Sequence, residues 1–255
     1  MSPDRTFPLG QALYAQTIME LKLLLRSGES LLVTLGVPLG VLVFFSTVDV
    51  LPTGDGDPVD FLVPGVLAIS VMSTALVALA IQTAFERKYA VLKRLGGTPL
   101  PRWAFVVAKS LAVALLILVQ TALVFTIAIA WLDWQPDGAV AVAVLAMLVG
   151  TIAFSALGLL MAGALRAEAT LALSNTVYLV LLGISGLVFE ADALPEPLAT
   201  VGEVLPAGAL GVALRGAFDG ADSVSGISGG GALVVLLAWG VVATAATVRF
   251  FRWEP

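Results

Sequence analysis

The side chains that most often carry out chemistry in proteins are scarce or absent here. The 255 residues contain no His and no Cys, which excludes the commonest general base, thiol nucleophiles, disulfides and thiolate metal sites. A phosphate loop of the form G-x-x-x-x-G-K-[ST] is missing too, because Lys109-Ser110 lacks the preceding glycines. We therefore expect neither an enzyme nor a metal protein from this chain.

Uncharged polar side chains lie instead within long apolar stretches. Hydrogen bonding between helices is the commonest use of such residues in membranes, and contact with a solute is the alternative. The residues assigned to a candidate substrate path are Ser73, Thr74, Gln120, Thr121, Asn175, Thr176 and Tyr178. No Asp, Glu, Lys or Arg lies in the middle of a stretch, which argues against proton coupling and intramembrane proteolysis.

The composition indicates that these apolar stretches lie in a lipid bilayer. Hydrophobic residues make up 59% of the chain, charged residues only 12%, and the mean hydropathy is +1.03. So few charges could not cover the surface of a water-soluble globule, and so apolar a chain would not stay disordered. The net charge of −5 argues against nucleic acid as a partner.

Six apolar stretches are long enough to cross a bilayer as helices, which takes about 20 residues. They lack the alternation of membrane strands, so we predict an all-α polytopic membrane protein with one transmembrane domain over residues 1–255. The predicted spans are 31–51, 61–85, 110–132, 139–165, 171–189 and 232–251.

The basic residues predict the orientation of these spans. Twelve of the 13 Lys and Arg residues fall on one side of the predicted membrane, and only Arg215 falls on the other. Basic loops stay in the cytoplasm, so both termini are expected there.

Residues 9–26 have the pattern of a helix lying on the membrane. Apolar side chains recur at helical spacing on one face, and polar side chains occupy other positions. The apolar face comprises Tyr14, Ile18, Leu21 and Leu25, and Gln11, Glu20, Lys22 and Arg26 are the polar positions. A plain membrane anchor is the alternative use of such a helix.

The loop 86–103, between the second and third spans, predicts a short helix from Glu86 to Leu95. An apolar ridge would consist of Tyr89, Leu92 and Leu95, with Lys88, Lys93 and Arg94 in water. The glycines at 96 and 97 would end this helix, and Pro99 and Pro101 prevent it from resuming. An ordinary basic loop held against anionic lipid is the alternative.

Glu86 stands at the carboxyl end of the second span, where a carboxylate is unfavourable to the helix dipole. We therefore expect a cation beside it, from Lys22, from Arg26 or from a partner protein.

Residues 190–220, on the outer side, are too apolar for a free loop. Pro195 and Pro197 favour the start of one short helix and Pro206 its end. A helical hairpin that dips back towards the membrane is predicted. We expect Leu198, Leu205 and Leu210 to face protein or lipid, and Glu196 and Glu203 to face water.

These two segments resemble those of the permease subunits of type-two ABC exporters, the class that includes the daunorubicin-resistance-like drug exporters. In the inner loop the resemblance rests on Glu86-Arg87, Leu92, Leu95 and Thr98-Pro99-Leu100. In the outer segment it rests on Gly186, Phe189, Leu194-Pro195, Pro206 and Leu214-Arg215.

The resemblance implies a permease that pairs with a second permease chain, identical or homologous, and with two copies of an ABC ATP-binding subunit. ATP and Mg²⁺ would be bound by that subunit, with no cofactor in this chain. The 86–95 helix would couple the two proteins, with Arg87, Lys93 and Arg94 presenting charge, and the 9–26 helix would brace it.

The function implied is efflux of an amphiphilic drug, lipid or glycolipid across a bacterial plasma membrane, as in drug resistance. An ATP-independent secondary transporter or channel is the alternative, because passive conduction needs no intramembrane charge. A purely structural membrane scaffold is a third class.

Overall fold

The protein folds as a bundle of helices. The structure, a computed structural model, describes residues 9–26, 28–48, 58–96, 101–136, 138–188, 194–218, 223 and 226–251, without the side chains of 29–31, 33, 94–96 and 102. Every regular element in these ranges is helical, which confirms the predicted all-α fold.

The first half of the chain contains six α-helices and one π-helical segment. They are α1 (Leu9–Arg26), α2 (Gly28–Thr47), α3 (Pro58–Val71), the π segment (Met72–Ala78), α4 (Leu79–Lys88), α5 (Val91–Gly96) and α6 (Arg102–Trp131). The second half contains α7 (Val140–Ala164), α8 (Ala167–Ile184), α9 (Glu196–Val204), α10 (Pro206–Phe218) and α11 (Gly229–Phe250).

Five helices of the described chain are long and apolar enough to cross a membrane, or six if the bent pair α9–α10 is one span. They are Pro58–Lys88, Trp103–Trp131, Val140–Ala164, Ala167–Ile184 and Gly229–Phe250. These five overlap the last five predicted spans. The first predicted span overlaps α2, a helix of 20 residues whose described apolar part includes Thr34–Thr47.

The second span lies at the centre of the bundle and is not α-helical throughout. Its middle is the π segment, a rare form that often marks functional positions in helices. Helix α7 approaches this segment through Gly158, where an added Cβ would lie 2.8 Å from the carbonyl oxygen of Leu76. The absence of a side chain at Gly158 therefore lets the two backbones touch.

Helices α9 and α10 meet at an angle of 86°. Helix α9 starts after Pro195 and ends at Val204, and Pro206 opens α10 instead of simply ending the segment. Nearly every residue of α10 is buried, in contact with α3, α7 and α11. This bend fits a re-entrant hairpin or a broken span.

Helix α1 packs along α6 with a face that the sequence pattern did not single out. Its two buried residues are Thr17 and Glu20, so Glu20 is not the exposed polar position that we expected. Tyr14 and Leu25 of the apolar stripe remain exposed. These two residues are therefore available to lipid, while Ile18 and Leu21 are half-buried and the neighbouring face with Thr17 and Glu20 packs against the protein.

Candidate functional site

A buried ionic triad lies where α1, α4 and α6 meet. The Lys109 ammonium donates to Glu20 Oε2 at 2.7 Å and lies 2.8 Å from Glu86 Oε2. Lys109 is 1% exposed and Glu20 is 3% exposed. The contact with Glu86 has the distance of an ion pair but not the direction of a hydrogen bond. Three helices far apart in sequence are thus joined by one cation.

Two glutamines complete the shell of the triad. Gln16, one turn before Glu20 on α1, donates to Glu20 Oε1 at 2.8 Å. Gln82, one turn before Glu86 on α4, donates to Glu86 Oε1 at 2.9 Å. Each carboxylate therefore accepts a neutral hydrogen bond from its own helix and faces the shared ammonium with its other oxygen. This satisfies most of the polar atoms in the cluster.

The charges of the triad do not balance, since one ammonium faces two carboxylates. Burial raises the pKa of Glu20 above its ordinary value, although Lys109 opposes that shift and Glu86 adds to it. Ionic groups out of water are costly, and their attraction repays the cost only with good geometry. The triad is consequently sensitive to any motion of α1 or α4.

Lys109 is the residue that sequence reasoning missed. We expected Lys22, Arg26 or a partner protein to balance Glu86, and this was wrong, because the cation comes from α6. A signal was present: Phe105, Val106, Ala112 and Val113, one turn before and after Lys109, are all buried apolar residues. A lysine on the buried stripe of a helix needs an anionic partner inside the protein.

Arg87 does not present its charge to a partner, contrary to expectation. Its side chain is buried and donates to the carbonyl oxygens of Gly163, at 2.5 Å, and Leu165. These carbonyls belong to the end of α7, where helical hydrogen bonding runs out. Arg87 therefore fastens the base of the second span to the end of α7.

The predicted helix from Glu86 to Leu95 is broken in two. Helix α4 continues to Lys88, and Ala90 has a φ of 58°, in the left-handed region that few non-glycine residues adopt. A new helix, α5, begins at Val91. Glu86, Arg87 and Lys88 consequently belong to the second span.

The apolar ridge expected on this helix is also incorrect in part. Leu92 is fully buried against Phe105 of α6 and Phe251, which follows α11. Tyr89 and Val91 are 68% and 45% exposed, and Lys93 is exposed. The side chains of Arg94 and Leu95, and residues Thr98 and Pro99, lie outside the described part of the chain.

We call Tyr89, Val91 and Lys93 the docking face. Beside it, Lys88 forms an exposed ion pair with Glu168 in the first turn of α8. Leu92 thus connects α5 to α6, and Arg87 and Lys88 connect the end of α4 to α7 and α8.

The polar residues of the candidate substrate path divide into two groups. Thr74, Gln120 and Thr121 are buried, and Thr74 donates to Gln120 Oε1 at 3.2 Å while Gln120 donates to the carbonyl oxygen of Thr34 at 2.9 Å. This network connects α2, the π segment and α6. Hydrogen bonds between helices therefore account for the positions of these buried polar residues, without contact with a solute.

The second group lies partly or wholly at the surface of the chain. Asn175 and Thr176 on α8 are exposed, and each donates to a carbonyl of its own helix, one turn earlier. Tyr178 and Ser73 are half-buried. Of the predicted path, these four residues remain available to a partner chain or a solute.

Arg215 holds the outer hairpin against the bundle. Its guanidinium donates to the carbonyl oxygen of Gly186 and lies over the Phe61 ring, 4.6 Å from the ring centroid. Glu196 is exposed as expected, but Glu203 is only 5% exposed, so the expectation that it faces water was wrong. It is buried because α9 packs on α8 and α10 with the face that carries it.

The fold of this chain identifies its general class. Apolar helices of spanning length identify a multi-pass membrane protein. Residues 11–218 match the family described as ABC-2 type transporter, and the chain belongs to that family. It is therefore the membrane subunit of a transporter, and the family implies partnership with an ATP-binding subunit.

One curated relative supports this assignment. It is "Putative transport permease YvfS" of Bacillus subtilis (strain 168), which is 25% identical over 203 residues. The match covers 76% of this chain and 80% of the relative.

Proposed function

We propose that the chain is the permease of an ATP-driven exporter. In this proposal the ATP-binding subunit contacts the docking face, and its movement is transmitted to the transmembrane helices through the ionic triad. The observation that carries this is the position of the triad, which joins α1 to the second and third spans one helical turn from the contact between Leu92 and Phe105. ATP and Mg²⁺ belong to the partner subunit in this proposal.

The contacts around α5 provide a mechanical path. Leu92 anchors α5 on Phe105, four residues before Lys109 on the same helix. A displacement of α5 would therefore change the geometry at Lys109, where small shifts in distance alter the balance between burial and attraction. We expect the ionic triad to adopt two arrangements, one for each nucleotide state of the ATP-binding subunit.

The permease in this proposal works as a pair of chains, identical or homologous, with α8 facing the partner chain. Helix α8 is the least buried of the five spanning candidates and exposes Asn175 and Thr176. Polar side chains are costly against lipid, so a protein interface or a solute path suits them better. An amphiphilic substrate, such as a drug or a lipid, would match a path of this mixed polarity.

We place the base of the bundle, with the triad, in the cytoplasm of a bacterial cell. Because the sequence has no Cys, single cysteines test this directly. Glu196→Cys should react with an impermeant thiol reagent added to intact cells, and Lys93→Cys should react only after lysis. Both positions are exposed, so accessibility within the protein does not separate them. Labelling of Lys93→Cys in intact cells would reverse the orientation.

The docking face is tested by substitution at Val91. Val91→Asp should lower recovery of the ATP-binding subunit in a pull-down by about tenfold or more, because buried apolar anchors carry most of the affinity of an interface. The acid sits in the first turn of α5, where it is compatible with the helix. Leu92 is unsuitable for this test, since a charge there would disrupt the core.

Leu198→Asp is the matched control for the docking test. Leu198 is a partly exposed apolar residue on α9, in the predicted outer segment, so its replacement should leave recovery of the ATP-binding subunit unchanged. Transport and substrate-stimulated ATP hydrolysis should fall with Val91→Asp only. If both variants bind and transport like the parent, α5 is not the coupling element.

A further inference from the structure

The bundle carries an apolar groove on its surface that shares no lining residue with the triad or the docking face. It lies between α7 and α11, has a volume of about 830 Å³, and is open along one side. Its walls are formed by Val149 and Ile152 of α7 and by Leu237, Val241 and Val248 of α11. The volume lies in the range of sites for small amphiphiles, about 300–1,000 Å³.

The groove has one polar end. Thr244 and Arg249 line it, and Arg249 stands in the last turn of α11, at the end of the bundle where the basic residues gather. Within the described part of the chain, Arg249 contacts the Phe250 ring and forms no ion pair, and the Thr244 hydroxyl makes no hydrogen bond. The groove therefore offers a cation and a donor to a ligand that is otherwise apolar.

The length of the groove suggests what lies in it. From Arg249 to Leu237 is twelve residues of α-helix, or about 18 Å at about 1.5 Å per residue. One leaflet of a bilayer has a hydrocarbon thickness of about 15 Å. A groove that begins at a cation near the interface and runs one leaflet deep matches a single acyl chain below an anionic headgroup.

We propose that the α7–α11 groove is a binding site for an acidic phospholipid of the leaflet that contains Arg249. The headgroup phosphate would pair with the Arg249 guanidinium and accept a hydrogen bond from Thr244, and one acyl chain would lie along Val241 and Leu237. Lipid retention is measured without the ATP-binding subunit, so a failure of this site and a failure of the proposed coupling elements are distinguishable.

Lipid retention by the purified full-length chain tests the site. The protein is exchanged into mild detergent with equal amounts of phosphatidylglycerol and phosphatidylcholine, and bound lipid is counted by native mass spectrometry. Arg249→Gln should lower retained phosphatidylglycerol about fivefold, the factor expected for loss of one cation at an anionic lipid surface, and leave phosphatidylcholine nearly unchanged. Arg166→Gln, at an exposed arginine before α8, is the control and should change neither lipid.

Filling the groove provides an independent variant. Val241→Trp should lower the retention of both lipids, whereas Val242→Trp should not, although the two valines are 67% and 65% exposed on the same helix. The proposal is overturned if Arg249→Gln retains phosphatidylglycerol as Arg166→Gln does, or if the two tryptophan variants retain lipid equally. It is also overturned if Val241→Trp changes the oligomeric mass and leaves lipid retention intact, since the groove would then hold a second copy of the chain.

Discussion

Lys109→Met should be the most destabilising single charge substitution in the protein. It leaves the buried Glu20 carboxylate and the half-buried Glu86 carboxylate without the cation that both of them contact. Removal of one partner from a buried ion pair typically costs about 3–5 kcal/mol, because a charge is left without compensation. The free energy of unfolding in mixed micelles and the yield of folded protein measure this loss.

Because the triad has two carboxylates and one ammonium, replacing its acidic residues should change the stability differently from Lys109→Met. Glu86→Gln leaves one carboxylate opposite one ammonium, so its cost should be well below that of Lys109→Met. The triple variant Glu20→Gln, Glu86→Gln, Lys109→Met removes every charge and should recover most of the stability that Lys109→Met loses, as neutral replacement of whole buried networks often does. If Lys109→Met is no less stable than Glu86→Gln, the triad is not a buried ionic cluster.

The pH dependence of Lys109→Met provides a second check. Burial raises the pKa of Glu20, and in this variant Lys109 no longer opposes that shift, so protonation of Glu20 on acidification should make the stability rise as the pH falls. The triple variant has no carboxylate in the cluster and should not show this rise.

Transport and ATP hydrolysis should distinguish the triple variant from the parent protein. The triple variant should fold and bind the ATP-binding subunit, because the docking face is intact. We expect its ATP hydrolysis to respond poorly to substrate, since the cluster that links α1, α4 and α6 would no longer distinguish two arrangements. A triple variant that transports like the parent would show that the triad serves stability alone.

The spans of this protein could be predicted from the sequence because hydropathy is a strong local signal. A helix in lipid satisfies its own backbone, so long apolar runs have few alternatives to spanning. The all-α class follows from the same runs. The count of spans depends on the α9–α10 pair, where Pro206 begins a second helix at an angle of 86° to the first.

The contacts of the site could not be predicted from local pattern. Lys109 meets Glu20 across 89 positions of sequence, and Arg87 reaches Gly163 across 76. The apolar residues one turn before and after Lys109 indicate that it lies inside the protein, but they do not identify the distant residues that it contacts. Those partners are set by the packing of α1 and α7 against the second and third spans.

The break at Ala90 illustrates how packing overrides propensity. Alanine is the best helix former, and the stretch from Glu86 to Leu95 has the spacing of one continuous helix. Burial of Leu92 between Phe105 and Phe251 requires α5 to turn away from α4, and the chain accepts a left-handed residue to do so. The apolar spacing does mark a residue that becomes buried, but Leu92 packs inside this chain instead of against a partner protein.

Gly202→Ala should produce the largest steric defect among the conservative substitutions. A Cβ at Gly202 would lie 1.8 Å from the carbonyl oxygen of Ile184 and 2.9 Å from its carbon, so the obstacle is backbone at the end of α8. Nothing at that contact can rotate away, and α9 must move by about 1 Å or more. Overpacking of this kind costs typically about 1–3 kcal/mol, and more where the backbone cannot yield.

Gly183→Ala on α8 is the matched control for this substitution. No atom lies within 4 Å of its added Cβ, so the change should be neutral or stabilise the helix by up to about 1 kcal/mol. Gly202→Ala should lower the unfolding midpoint and the yield of folded protein, and expose Glu203 as α9 lifts from α8. Equal behaviour of the two alanine variants would mean that α9 is not docked on α8.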